Sequence, residues 1–219
     1  MNRLVIVGAG GHGKVIADIA LKNGYTDINF VDDNATGRCI EFSIIGTTDN
    51  LEALNDCSTD FVIAIGNNSI RRKISESHAV NWIKLIHPSA QVGCGAMVRE
   101  GTVVMAGAVI NPDARIGRHC IINSCAVIEH DNKIGDFVHV SPNAALGGTV
   151  CVGDNSHIGI GATVRNNLTI GKNTVIGAGA MVVKDLTEST TYVGIPAKKL
   201  GGGVTRNSVL YSFDRRYAA

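Results

Sequence analysis

From Ile86 onward, every sixth residue through Val182 is Val, Ile or Leu, with no insertion and no miss. The column runs Ile86, Val92, Val98, Val104, Ile110, Ile116, Ile122, Ile128, Ile134, Val140, Leu146, Val152, Ile158, Val164, Ile170, Ile176, Val182. Aliphatic residues make up roughly a quarter to a third of an ordinary chain, so seventeen consecutive hits are not coincidence. A strict period of six marks a β-solenoid, in which each short strand turns one aliphatic side chain inward. The residue four places on is usually small, as at Ala90, Ala96, Ala108, Ala114, Cys120, Ala126, Ala144, Ala162 and Ala180. Glycine often follows the aliphatic residue, as at Gly93, Gly117, Gly147 and Gly153, and small residues let a chain turn. A β-branched valine at Gly148 is expected to leave the solenoid folded, with Gly95→Val, three coils away, as an equally folded control.

The column resembles that of the hexapeptide-repeat acyltransferases. The resemblance implies a left-handed parallel β-helix, triangular in section, with three hexads or 18 residues per coil. Seventeen uninterrupted hexads then make nearly six coils with no long loop extruded.

The repeat starts near Leu85 and leaves an N-terminal segment of about 84 residues. The formal net charge is +1 and 18% of residues are charged, so no basic stripe suggests nucleic acid. No apolar run is long enough to span a bilayer. The short apolar run after Met1-Asn2-Arg3 stops at Gly8, unlike a secretory signal, so a cytoplasmic location is expected. Cys39, Cys57, Cys94, Cys120, Cys125 and Cys151 form no CxxC pair and read as small buried thiols of a reducing compartment.

The N-terminal segment reads as a small α/β unit. Leu4 to Val7 is a strand that runs into Gly8-Ala9-Gly10-Gly11-His12-Gly13, which fits GxGxxG. Val15, Ile16, Ile19 and Ala20 recur at helical spacing, and Asn23-Gly24 ends that helix. Ile28 to Val31 and Phe61 to Ile65 are further strands, and Ile70 to His78 is a helix. Alternation implies a parallel sheet with its ligand at the strands' C-terminal ends, where Gly8 to Gly13, Asp32-Asp33 and Gly66-Asn67 converge. The glycines and the acid at Asp32 suit NAD. Three or four strands, however, make half a dinucleotide fold, enough for one nucleotide diphosphate.

The whole chain resembles the NeuD/PglD-type sugar acyltransferases over about residues 3–200. The likeness rests on Gly-Ala-Gly-Gly-His-Gly at 8–13, Val-Asp-Asp at 31–33 and Ala-Ile-Gly-Asn-Asn at 64–68. It rests also on Ile-His-Pro-Ser-Ala at 86–90, Val-Ile-Glu-His-Asp at 127–131, Phe-Val-His-Val-Ser at 137–141 and Val-Gly-Ile-Pro-Ala-Lys at 193–198. It implies a Rossmann-like nucleotide-sugar domain over 1–84 and a left-handed β-helix acyltransferase domain over 85–200. The tail, 201–219, is unassigned, with Gly201 to Gly203 reading as a flexible joint. The resemblance further implies UDP-sugar contacts at Gly10, Gly11, His12, Asp32, Asp33 and Gly66, and acetyl-CoA contacts at His139, Ile160 and Ala178. A homotrimer with active sites between protomers is the family's habit.

His130 is the expected general base. Acyl transfer needs a group to take the acceptor's proton, and an unperturbed imidazole pKa of about 6.5 suits that task. A neighbouring carboxylate orients such a ring and stabilises its protonated form. Where the family has Glu after this His, the chain has the shorter Asp131. Residues 18 apart stack on adjacent coils, which puts Gly148 beside His130 as an oxyanion donor. The same spacing stacks His139 on His157 and Ile160 on Ala178. No two of the seven histidines stand five apart, so the zinc-binding pattern of hexapeptide carbonic anhydrases is missing and no metal is expected. Lys184, Lys198 and Lys199 are candidate contacts for CoA phosphates or solvated surface cations. No Cys or Ser sits beside a base in a nucleophile motif, which points to direct transfer.

The expected reaction is acetyl-CoA-dependent N-acetylation of a UDP-2-acetamido-4-amino-2,4,6-trideoxyhexose at its 4-amino group. Rivals are a sialate O-acetyltransferase, an NAD-dependent oxidoreductase with a solenoid stalk, and a noncatalytic sugar-nucleotide sensor.

Overall fold

The computed structural model describes residues 2–201, so expectations about the tail fall mostly outside it. The N-terminal part is a three-stranded parallel sheet. Strand β1 (Arg3–Val7) lies in the middle, with β2 (Ile28–Val31) on one side and the Thr59–Ile63 strand on the other. These runs are apolar almost throughout because both faces of the sheet are covered. Helix α1 (Gly11–Lys22) and the Asn68–Ser77 helix pack on it. The last strand ends two residues earlier than the hydrophobic run suggests. Ala64 to Asn67 instead lead into the helix, whose N-cap, Asn67, accepts from the Ile70 N–H at 3.1 Å.

The solenoid begins at Leu85–Ile86 and consists of two-residue strands every six residues through Met181–Val182. All but the last three pair in parallel with the strand 18 residues on, as in Ile110↔Ile128, Ile116↔Ile134 and Ile122↔Val140. Three sheets result. The first face carries strands such as Val103–Val104 and His139–Val140, the second Val109–Ile110 and Val127–Ile128, the third Arg115–Ile116 and Lys133–Ile134. The aliphatic column fills the interior together with the small-residue column, where Ala108, Ala126, Ala144 and Ala162 are fully buried.

The corners are made differently from what glycine content suggests. The left-handed turn falls three residues after the aliphatic one, and non-glycine residues take it at Asp113, His119, Cys125, Asp131, Phe137, Asn143 and Thr149. Glycines such as Gly117 and Gly153 serve close approach instead. A Cβ on either would come within 2.5 Å of backbone atoms of the next coil. Gly95 corrects the expectation made for it. It has φ of 72°, and a side chain there would strike the Asp113 carboxylate, so Gly95→Val is strained twice over.

The two parts share a core. Leu85, Val103, Met105 and Ile121, outward-facing or corner residues of the solenoid, cluster with Leu4, Ile6, Ile16 and Phe30 of the α/β part. The α/β part therefore covers the first face. The thiols also differ from expectation: Cys39 and Cys120 are buried, Cys57, Cys94 and Cys125 are exposed, and none is disulfide-bonded. Within the repeat the period of six sends only the aliphatic and small positions inward, and Cys94 and Cys125 stand at neither.

Candidate active site

The glycine turn between β1 and α1 is built for close approach. Gly8 has φ of 109° and leaves strand β1, and a Cβ on Gly13 would strike the Gly8 carbonyl, so helix and strand touch backbone to backbone. Around Gly10, Gly11 and Gly66 a Cβ would meet nothing within 4 Å. No acidic residue stands in the first turn of α1 and Gly10 caps it without a side-chain hydrogen bond, which favours an anion there.

Asp32 braces this turn. Its Oδ2 accepts from the Ala9 N–H at 2.7 Å, and its Oδ1 from the Asn34 and Ala35 N–H groups at 2.8 and 3.0 Å. Asp33 accepts from the Thr48 N–H at 2.8 Å and from its hydroxyl. Both carboxylates thus hold loops at the strand ends.

His12 and His139 approach the same junction from opposite sides. His12 lies in the first turn of α1, and its buried Nε2 has no hydrogen-bond partner among the described residues. Burial pushes its pKa down to about 4, with the Arg71 guanidinium adding to the effect. His139, on the first face, has an equally orphaned Nδ1, while its Nε2 lies 3.1 Å from Asn123 Nδ2. Burial holds it neutral, helped by His157, Arg71 and His12, and the Gly66 backbone acts in the opposite sense. The expected stack with His157 is present, with ring centroids 4.5 Å apart. His157 Nε2 is 2.8 Å from the Ser141 hydroxyl.

His130 stands elsewhere, at the vertex between the second and third faces. That vertex is opposite the first face, which the α/β part covers. Its Nδ1 is 2.7 Å from Asp131 Oδ2, and this bond raises the imidazole pKa. A carboxylate can only accept, so Nδ1 carries the proton and Nε2 presents its lone pair. A Cβ on Gly148 would lie 2.5 Å from that Nε2, so the stacking read from the period places the glycine directly beside the ring.

Ile160 and Ala178 occupy the vertex between the first and second faces. Ile160 is 57% exposed, and a Cβ on neighbouring Gly161 or Gly179 would meet nothing within 4 Å. Two successive coils therefore leave an open, apolar track, which fits a pantetheine arm. At the end of the solenoid Lys184, Lys198 and Lys199 line a cavity of about 260 Å³ with Glu188, which pairs with Lys199 at 2.5 Å. A second concavity, about 580 Å³, runs along the third face past Arg99, Arg115 and Lys133.

Comparisons with known proteins identify the family. The PglD N-terminal domain model matches residues 3–78, and the bacterial transferase hexapeptide model (six repeats) matches 95–130 and 152–184. The acetyltransferase domain of PglB from Neisseria gonorrhoeae FA1090, solved with acetyl coenzyme A, is 41% identical, with a TM-score of 0.89 over 91% of this chain and 99% of that one. The chain belongs to the PglD-type hexapeptide-repeat acetyltransferase family. PerB from Caulobacter crescentus, solved with CoA and GDP-perosamine, is 37% identical with a TM-score of 0.87, over 92% of this chain and 98% of its own. The UDP-N-acetylbacillosamine N-acetyltransferase of Bacillus subtilis (strain 168) is 42% identical over 113 residues, 48% of this chain and 52% of that protein. The chain thus spans about half the length of that curated relative.

Sequence reasoning missed Arg71, Asn68, His119 and Phe137, which join the two parts. Arg71 is the largest fully buried side chain and bonds to the His119 and Phe137 carbonyls. His119 stacks on Phe137 at 5.4 Å and meets Trp82 edge-on. Asn68 and Phe137 fall within the 64–68 and 137–141 segments that carry the family likeness, but with no role of their own, and nothing in the local pattern separates Arg71 from its basic neighbours Arg72 and Lys73.

Proposed function

We propose that this chain transfers the acetyl group of acetyl-CoA to the 4-amino group of a nucleotide-linked amino sugar, a UDP-2-acetamido-4-amino-2,4,6-trideoxyhexose being the preferred acceptor. The observation that carries the chemistry is the His130–Asp131 pair, its free Nε2 set against Gly148. Acetyl-CoA supplies an activated thioester. The acceptor nitrogen forms a bond to the acyl carbon and the carbon–sulfur bond breaks. His130 Nε2 takes the proton from the amine and delivers it to the departing sulfur, while Asp131 stabilises the imidazolium. The Gly148 N–H stands where it can donate to the acyl oxygen. His139, Ile160 and Ala178 hold the CoA arm. Gly10, Gly11, His12 and Gly66 receive the nucleotide sugar, in a turn kept in shape by Asp32 and Asp33.

His130 lies on the vertex farthest from the sugar-nucleotide turn of its own chain, so one chain does not assemble the whole site. We therefore take the working unit to be a homotrimer, in which a neighbour brings His130 to the junction. The second face supports this. Its outward column, Gln91, Val109, Val127, Ala145, Thr163 and Met181, carries no charge, whereas Arg115 and Lys133 stand side by side on the third. PerB's complex with GDP-perosamine favours a second reading, a GDP-linked 4-amino sugar.

The test measures CoA release with UDP- and GDP-linked 4-amino sugars and with free sialic acid. Turnover of sialic acid alone would overturn the proposal. Mixing refolded or co-expressed His130→Ala and His12→Ala chains tests the shared site. Restored activity in the mixture is expected, and its absence from well-formed mixed oligomers would place the site within one chain.

A further inference from the structure

We propose that Arg71 is a positioning residue for the acceptor: it locks the Gly66 loop onto successive coils of the β-helix and so sets where the nucleotide sugar sits relative to the acyl donor. This inference rests on the reading of Gly66 and His12 as acceptor contacts.

Arg71 lies in the first turn of the Asn68–Ser77 helix and is 0% exposed. Its guanidinium divides its bonds between the two parts of the chain. Toward the α/β part, Nη1 donates to the Ile65 carbonyl at 2.8 Å and the Gly66 carbonyl at 3.3 Å, and Nη2 to Asn68 Oδ1 at 2.8 Å. Toward the β-helix, Nε donates to the His119 carbonyl at 2.7 Å and Nη2 to the Phe137 carbonyl at 3.2 Å. His119 and Phe137 are 18 apart, both at left-handed corners with φ of 50° and 59°. The planar fork therefore matches the coil repeat itself. Asn68 extends the lock, its Nδ2 donating to the Ser156 carbonyl at 3.0 Å. Arg72 lies over the Phe137 ring at 4.7 Å and closes the junction from outside.

These acceptors are oxygens of peptide and amide groups, which the planar fork reaches in several directions at once. A lysine keeps the charge but not the fork. The bonded carbonyls flank the open space at Gly66, so a shift of the loop moves the acceptor site and not the His130 vertex.

Steady-state kinetics on Arg71→Lys with a UDP-4-amino sugar and acetyl-CoA decides the matter. The KM for the sugar nucleotide should rise about tenfold or more, within the ~10²-fold range that a 1 Å misplacement can cost. The kcat should stay within about threefold and acetyl-CoA affinity should be unchanged. Ile74→Ala, on the same helix but in the α/β core, should lose stability and keep its KM, which separates positioning from mere weakening of the fold. A folded Arg71→Lys with wild-type KM, or one that loses kcat alone, overturns the proposal. Should Arg71→Lys fail to fold, Asn68→Ala must show the same KM split, and an unchanged KM there overturns it equally. Wild-type protein with no turnover of any nucleotide sugar would instead sink the acceptor reading, and this inference with it.

Discussion

A histidine serves as a base only when its lone pair faces the proton it must take. Adjacent side chains on an extended strand point to opposite faces, so His130 and Asp131 would part company within a strand. They meet because Asp131 takes the left-handed corner, with φ of 61°, and its carboxylate reaches Nδ1 despite being one methylene shorter than the family's Glu. His130→Ala should lower kcat by ~10²–10⁴ with little change in acetyl-CoA affinity. The base works unprotonated, and Asp131 raises its pKa, so activity should climb with pH to a midpoint above 6.5. Asp131→Asn should move that midpoint down, and a pH–kcat profile that stays in place would show that the pair is not the titrating unit. Gly148→Ala should push the imidazole aside, since the new Cβ would lie 2.5 Å from Nε2. Its cost should nearly vanish in a His130→Ala background, whereas additive losses in the double variant would mean that Gly148 acts on its own.

At the level of elements, the glycine turn owes its shape to Asp32, whose two oxygens collect three backbone N–H groups. The family likeness implies a nucleotide-sugar contact for this acid, and the structure shows its carboxylate already occupied with the turn. Asp32→Ala should therefore raise the KM for the sugar nucleotide more than it lowers kcat. It should also cost about 1–3 kcal/mol of stability by stranding those donors, measurable by urea denaturation. A KM effect without any loss of stability would return Asp32 to the role of direct ligand. In the coils, the six-residue period was legible because each strand has one inward side chain and that side chain must be aliphatic. The register separates two glycine positions, one and three places after the aliphatic residue, but only the backbone angles show that the second turns and the first lets coils touch. Gly95 stands three places after Val92 and takes positive φ, whereas Gly117 directly follows Ile116 and lies against the next coil.

For the molecule as a whole, the junction between the α/β part and the first face is where pH acts. His12 and His119 are held at pKa values of about 4 and His139 well below 6.5, in each case chiefly by burial. Unfolded histidines bind protons below 6.5, whereas folded His12 and His119 do not until about pH 4 and His139 only well below 6.5. The stability they contribute is therefore present above pH 6.5 and is lost as pH falls toward 4. Calorimetry should show Tm falling across that window, with a shallower fall in His119→Phe, and an identical slope in that variant would exclude His119 as a contributor. The solenoid, its register and its start at Leu85 can be read along the chain, since a covalent period of six repeats regardless of what packs outside. The stacking of Gly148 on His130 and of His139 on His157 can be read there for the same reason. Which face the α/β part covers follows only from long-range contacts, and with it the fact that His130 stands on the vertex opposite the glycine turn. That choice rests on the cluster of Leu85, Val103 and Ile121 and on the buried fork of Arg71. Those contacts join residues 48 or more apart, between a helix and coils that share no period, so nothing along the chain announces them.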